Sequence, residues 1–264
     1  MAKQGDIGRV WDYVVNTQVW RSIMRHGYPD TPRNRSLAIM ANVFFHLHPI
    51  RLRKSGLRVR YTWCMGGLTF FLFLVETITG LLLMFYYRPT AEYAYHDIVY
   101  LRADVALGTM REIHRWGAHA MVITIWLHMM RVFLTGAYKP PREFNWGVGV
   151  VLLLLTLLLS FTGYLLPWDQ LAMWAITVGT NMARATPLLG HEGPGAALIK
   201  VGDITVVHSA SDVRFGLLAS RFVGAPAILR FYVLHCVGFP LIAAFLIAVH
   251  FWRVRKDGGI SGPL

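Results

Sequence analysis

The chain has 264 residues, of which 55% are apolar, and a mean hydropathy of +0.44. This composition excludes an ordinary soluble domain. The net charge of +12 would suit a nucleic-acid-binding protein, but the distribution of the basic residues along the chain indicates membrane topology instead, and no nucleic-acid partner is expected.

The first 62 residues form a polar, basic arm. Within it, the pairs Val10-Trp11 and Val19-Trp20 alternate with Arg and Asp residues, a pattern typical of an amphipathic helix in the membrane interface. No apolar segment near the start resembles a cleavable signal peptide. We therefore predict that residues 1–62 are an interfacial arm on the cytoplasmic side.

Four later segments are apolar and long enough to cross a bilayer. We call them helices A to D and place them at residues 63–87, 113–134, 146–167 and 229–252. They predict an all-α integral membrane fold, in which residues 63–252 form a four-helix bundle and residues 253–264 form a short tail.

A long connection, residues 168–228, joins helices C and D. Its first part, residues 169–182, is amphipathic and predicts a helix along the interface. Its later part, residues 190–226, is rich in Gly and predicts loops with short helical pieces.

The basic residues cluster on one side of the predicted bundle. Of 26 Lys and Arg residues, 11 precede helix A, three lie around the connection between helices B and C, and three follow helix D. By the positive-inside rule this side, which we call inner, is cytoplasmic or its equivalent. Both termini are therefore expected there, and the connection 168–228 is expected on the outer side.

Helices B and D each carry two histidines separated by nearly a whole number of turns. His114 and His128 are 14 residues apart, and His235 and His250 are 15 residues apart. The two histidines of a helix therefore face the same way, at levels ~21 Å apart. Because helices B and D run parallel, His114 is expected opposite His235 near the outer side. His128 is then expected opposite His250 near the inner side, and each pair predicts a bis-histidine haem.

A single buried histidine is more often structural than a ligand. His119, which lies on helix B away from the shared face, is interpreted in that way. Four histidines at matched depths in a membrane, where ionisable groups are costly, favour the ligand interpretation.

Glycines on the other two helices repeat the same step. Gly66 and Gly80 on helix A are 14 residues apart, as are Gly149 and Gly163 on helix C. One such pair would be typical of ordinary helix packing. Two pairs at the depths of the histidines predict contact with haem.

Arginines lie close to both histidine levels. Arg111 and Arg115 flank His114, while Arg131 follows His128 by three residues and Arg142 lies in the next loop. They are predicted to bind haem propionates, the alternative being arginines that snorkel at helix ends. Arg111 and Arg115 are outer positive charges against the topological trend, which favours the propionate interpretation.

Taken with its motifs, the chain resembles the cytochrome b6 type of cytochrome b, from quinol-oxidising cytochrome bc complexes. The likeness covers roughly residues 60–264, apart from an insertion in the outer connection. It rests on the segments CMGGLTF (64–70), FYYRPT (85–90), REIHRW (111–116), LHMMRVFLTGAYKPPRE (127–143), FTGYLLPWDQ (161–170), RFYVLH (230–235) and HFWRVRKDGGISGPL (250–264). The 15-residue step in helix D and the ending SGPL are similar to the split form, whose remaining helices belong to a separate subunit.

The resemblance implies two haem b groups with the ligand pairs given above, the outer haem of low potential and the inner haem of high potential. It also implies that Cys64 binds an additional haem through a single thioether bond, the alternative being a free thiol. The chain has no CxxCH motif for a conventional c-type attachment. Arg255 is expected near that haem or the inner quinone site.

The resemblance further implies an electron-transfer subunit that is not active alone. It would carry electrons between a quinol-oxidising outer site and a quinone-reducing inner site, coupled to proton translocation. The expected partners are a Rieske iron–sulfur protein, a three-helix protein like subunit IV and a c-type cytochrome, in a homodimeric complex. No catalytic residue is expected in this chain, because the quinol-site glutamate would belong to the three-helix partner. Pro167 and Trp168 would form one wall of that site.

Three features depart from the b6 pattern: a longer arm, a longer outer connection around residues 191–222, and Glu76 in place of a usual Gln. A charged carboxylate in mid-membrane is costly, and a proton relay through Glu76 is a hypothesis. These departures favour a menaquinol enzyme of a bacterial plasma membrane over a plastoquinol enzyme of thylakoids.

The second interpretation of the chain is a haem-b anchor subunit of a dehydrogenase or hydrogenase that exchanges electrons with quinone. A transporter would require broken inverted repeats, which the sequence does not show.

Overall fold

The computed structural model describes residues 6–17, 31–41, 54 and 58–260. In the arm it contains helices α1 (Asp6–Asn16), α2 (Pro32–Ala41) and α3 (Val59–Thr62). The apolar side chains of Val10 and Trp11 are exposed on α1, as expected for a helix with an apolar face toward a membrane interface. The Val19-Trp20 pair and the SGPL ending lie outside the described residues.

Among the described residues, four helices are long and apolar enough to cross a membrane. The first three are α4 (Met65–Met84), α6 (Val105–Leu134) and α7 (Glu143–Leu165). The fourth is continuous over α10 (Ala225–Val233), a π-helical segment (Leu234–Gly238) and α11 (Phe239–Lys256). The predicted all-α architecture with four spanning helices is therefore confirmed.

The second span begins eight residues earlier than predicted, at Val105 rather than at residue 113. The Asp104 side chain accepts a hydrogen bond from the Leu107 backbone N–H at 2.9 Å and so caps the helix. The added turns include the charged Arg111 and Glu112. Hydropathy alone therefore placed the start of this helix too late.

The spans pack as two pairs, α4 along α6 and α7 along α11. The outward faces of these helices are strongly apolar. Ile78 on α4 is 61% exposed, and Leu241 and Phe245 on α11 are 66% and 67% exposed. Such surfaces suit lipid or apolar partner chains rather than water.

Helix α5 (Ala94–Ala103) lies in the connection between the first two spans. Arg88 fixes its position, because the Arg88 backbone N–H and guanidinium donate hydrogen bonds to Asp97 at 2.6 to 3.1 Å. These hydrogen bonds hold the pKa of the Asp97 carboxyl below its usual value, against the opposing effect of burial.

The outer connection contains α8 (Gln170–Ala183), a 3₁₀ turn (Ala196–Leu198), an antiparallel hairpin of β1 (Lys200–Val201) and β2 (Ile204–Thr205), and α9 (Val213–Leu218). Asp169 caps α8 through the Ala172 N–H at 2.8 Å. A buried cluster joins the connection to the ends of the third and fourth spans, and it consists of Leu165, Ile176, Leu218, Ala227 and Phe231.

Candidate functional site

The four histidines form two facing pairs between the second and fourth spans. The His114 and His235 ring centroids are 6.3 Å apart, with an interplanar angle of 83°. The His128 and His250 centroids are 6.4 Å apart, with an angle of 78°. We call these the outer pair and the inner pair, after the predicted orientation. First histidine faces first and second faces second, as the helical spacing predicts.

Each of the four glycines lies against one imidazole. A Cβ added at Gly66 would lie 3.1 Å from His128 Cε1, and one at Gly80 would lie 3.2 Å from His114 Cε1. The corresponding positions on α7 face the partners of these histidines: Gly163 faces His235 and Gly149 faces His250. Each level is therefore bordered by one glycine from α4 and one from α7.

At the outer pair, two threonine hydroxyls hold the imidazole Nδ1 atoms. Thr79 Oγ1 lies 2.9 Å from His114 Nδ1, and Thr162 Oγ1 lies 3.2 Å from His235 Nδ1. Each hydroxyl donates to a carbonyl of its own helix, Thr79 to Val75 at 2.7 Å and Thr162 to Leu158 at 2.8 Å. The hydroxyl oxygen can therefore accept the imidazole Nδ1–H, which leaves Nε2 free as a metal ligand.

Sequence reasoning did not assign these threonines. A signal was present, because each precedes a glycine of the site, at 79–80 and at 162–163. Among the described residues, no threonine contact of this kind is recorded for the inner pair. His250 Nδ1 is buried and has no hydrogen-bond partner in the described part of the chain.

The outer arginines are held by a carboxylate that sequence reasoning overlooked. Arg111 and Arg115 both bind Glu112, at 2.9 and 2.8 Å. Glu112 is three residues from Arg115, a spacing at which helical side chains meet, and it directly follows Arg111 in the sequence.

The inner arginines have unpaired donors within the described residues. Arg131 donates through Nε to the Tyr61 carbonyl at 3.1 Å, while its buried Nη2 has no partner there. Arg142 donates through Nη2 to the Asp257 carbonyl at 3.1 Å, while its buried Nε has none. Arg255 lies half-buried in the last turn of α11.

The Cys64 thiol is exposed. Cys64 lies immediately before α4, at a kink in the backbone between α3 and α4. Trp63 and Cys64 both adopt left-handed conformations, with φ of 50° and 51°. Cys64 is two residues from Gly66, which faces the inner-pair His128. The thiol is therefore placed at the end of the bundle nearest the inner pair.

The residues present fit a haem at each level. Two metal–imidazole bonds of about 2 Å each, together with the two ring radii, account for the separations of the ring centroids. Within the described residues, no group of three or more His, Cys, Asp or Glu could hold a bare metal ion. A pair of histidines is a ligand set typical of haem iron, and glycines are residues that let a macrocycle lie close to a helix backbone.

Comparisons with known proteins bear on the family of this chain. A family model described as cytochrome b/b6/petB matches residues 52–194. The menaquinol:cytochrome c reductase cytochrome b subunit of Bacillus subtilis (strain 168) is 35% identical over 263 residues, covering 98% of this chain and 100% of that protein. The protein of the same name from Geobacillus thermodenitrificans is 34% identical over the same shares of each chain.

A solved structure described as a hyperthermophilic respiratory Complex III has the same fold. The match has a TM-score of 0.66 and 23% sequence identity, and it covers 94% of this chain and 55% of that chain. The family match over half of the chain and the 35% identity over nearly all of it lead to one conclusion: this chain belongs to the cytochrome b/b6 family.

Proposed function

We propose that this chain is the haem-bearing membrane subunit of a quinol-oxidising bc-type complex. The observation that carries the proposal is the pair of facing histidine pairs, each bordered by a glycine from α4 and a glycine from α7. In this proposal His114 and His235 hold one haem b, and His128 and His250 hold the other. When bound, the two haems supply one-electron relays at two depths of the membrane.

Two threonines prepare the histidines of the outer pair for this role. Thr79 and Thr162 accept Nδ1–H and so fix the tautomer and the ring orientation of His114 and His235. The absence of a side chain at Gly80 and Gly163 lets the imidazoles approach the helix backbone. These residues would thus hold the two imidazoles of the outer pair in place for a haem.

Cations at both levels would bind the anionic groups of the cofactors. Arg131 and Arg142 each have a buried donor without a partner in the described part of the chain, which suits a propionate at the inner level. Arg111 and Arg115 take this role at the outer level, where Glu112 holds them in place. Arg255 is proposed to serve the inner level as well, at a propionate or a bound quinone.

The exposed Cys64 thiol is proposed to carry an additional haem through a single thioether bond. Three observations support this: the thiol is free and exposed, it lies at a left-handed kink immediately before α4, and it lies at the end of the bundle nearest His128.

The proposal extends to the partners and the membrane. The Bacillus subtilis and Geobacillus thermodenitrificans relatives are menaquinol:cytochrome c reductase subunits by name, which supports menaquinol as substrate and a c-type cytochrome as acceptor. We further propose a Rieske protein and a three-helix subunit as partners, in a homodimeric complex. The proposed location is a bacterial plasma membrane with both termini on the cytoplasmic side.

A pyridine haemochrome spectrum before and after acid–acetone extraction tests the cofactor assignment. We expect two b-type haems to extract and one haem to stay with the polypeptide. Complete extraction would reduce the protein to a two-haem cytochrome b with a free Cys64 thiol. A well-folded preparation without haem would overturn the proposed function.

A further inference from the structure

The Glu76 carboxyl lies between α4 and α6, against one ligand of the outer pair. Its Oε2 atom is 3.2 Å from His114 Nδ1, and its side chain is only 14% exposed. Glu76 precedes Gly80 by one helical turn, and Gly80 faces the same imidazole. The carboxyl therefore lies on the non-ligating side of the His114 ring.

The second carboxyl oxygen lies against α6, in a space that exists because α6 has a glycine there. Glu76 Oε1 is buried without a hydrogen-bond partner among the described residues. A Cβ added at Gly117 would lie 2.1 Å from that oxygen. Gly117 thus makes the space that allows the carboxyl to stay beside His114.

Among the described residues, no carboxyl group is recorded against His235, the other histidine of the outer pair. His235 Nδ1 lies 3.2 Å from Thr162 Oγ1 and 3.1 Å from the Leu159 carbonyl. Glu76 and Leu159 occupy matching positions, each three residues before the threonine of its helix. The two sides of the outer pair therefore differ by one carboxyl group.

We propose that Glu76 is a positioning residue. It makes His114 donate more electron density to the haem iron and thereby lowers the reduction potential of the outer haem. The proposal rests on the haem assignment made under the proposed function. Thr79 already accepts the Nδ1–H of His114, and a carboxyl oxygen on the same side of the ring makes the imidazole a more basic ligand. A more basic ligand stabilises the oxidised metal. This role requires no proton transfer by Glu76.

Redox titration of the intact complex, followed through the optical bands of both b haems, tests the proposal. Glu76→Leu removes the carboxyl and is expected to raise the midpoint potential of the outer haem only. A tenfold change in the reduction equilibrium corresponds to 59 mV for one electron. Glu76→Gln keeps an oxygen acceptor at the same place and is expected to restore a potential close to that of the unmodified protein.

Gly117→Ala tests the same contact while Glu76 stays in place. The added methyl group must displace the flexible carboxyl end, so the potential of the outer haem is expected to shift in the same direction. Gly147→Ala is the matched control, because a Cβ at Gly147 meets nothing within 4 Å, and no shift is expected. If Glu76→Leu fails to assemble, Gly117→Ala decides the question.

The inference is overturned if the assembled variants bind both b haems and leave both potentials unchanged. That result would leave the haem assignment intact. Failure of the proposed function is distinguishable, because the unmodified protein would then lack two b haems.

Discussion

Gly163 lies so close to His235 that a Cβ built on the glycine would stand 2.6 Å from His235 Cε1. Gly149 occupies the equivalent place at the inner pair, yet a Cβ there would lie 3.8 Å from His250 Cε1, an ordinary van der Waals distance. The two glycine positions of α7 therefore differ in whether they tolerate a methyl side chain, although their spacing in the sequence makes them look equivalent.

Gly163→Ala is expected to weaken haem binding at the outer pair. The methyl group must push the His235 ring away from its position opposite His114, and overpacking of this kind costs about 1–3 kcal/mol. Gly149→Ala is the matched control and should retain both haems. The measurement is the ratio of extractable haem to protein in the purified complex. Equal haem content in the two variants would contradict the close approach.

His114→Leu is expected to remove one of the two b-type haems, because only His235 would remain at this level to bind the haem iron. His119→Leu provides the comparison on the same helix. His119 is exposed and contacts the Trp116 ring at 5.4 Å between centroids, so its loss should leave both haems bound. Reduced-minus-oxidised spectra distinguish the two variants. Loss of haem from His119→Leu alone would reverse the assignment.

Cys64→Ser is expected to abolish the haem that resists acid–acetone extraction. Cys236→Ser serves as the control, since Cys236 lies half-buried within the fourth span and has no predicted attachment. The readout is haem-stained gel electrophoresis of the denatured polypeptide. A haem-stained band in Cys64→Ser would show that the thiol is not the attachment point.

Asp97→Asn is expected to loosen the connection between the first two spans. The Arg88 guanidinium lowers the pKa of the Asp97 carboxyl, so the ion pair stabilises the fold above the unfolded pKa of about 3.9. This stabilisation is lost as pH falls through the lower pKa of the folded state. Because Arg88 is largely exposed, solvent screens the ion pair, and only a small loss of stability is expected at neutral pH.

Thermal unfolding of the purified complex at neutral and at strongly acidic pH checks this prediction. The Asp97→Asn variant should unfold at a lower temperature than the unmodified protein at neutral pH, and the difference should shrink on acidification. A difference that stays constant with pH would assign the effect to packing rather than to charge.

Helical periodicity was sufficient to predict which histidines face each other. The step from His114 to His128 fixes a shared direction on one helix, and the parallel course of the fourth span fixes the partner of each. The contact of Glu112 with Arg111 and Arg115 was equally predictable from the sequence, since Glu112 is close to both on one helix. It was overlooked because the arginines were considered only in relation to the cofactor.

Contacts between helices were less predictable. Whether Thr79 or Glu76 reaches His114 Nδ1 depends on the rotation and closeness of α4 against α6, which no single-helix pattern determines. The start of the second span was also misplaced, because the turns beyond the apolar segment are polar and are stabilised by the Asp104 cap. The fold of residues 190–212 lacked any periodicity from which its short hairpin could have been predicted.

The π-helical segment Leu234–Gly238, which contains His235, explains how unequal spacings produce level pairs. The His114 to His128 step lies within one α-helix, whereas the His235 to His250 step contains one residue more. A π-turn absorbs an extra residue without advancing the helix by a full residue's rise. The π-turn therefore compensates for the extra residue between His235 and His250. The imidazoles of the two helices can face each other in level pairs although the steps between them differ in length.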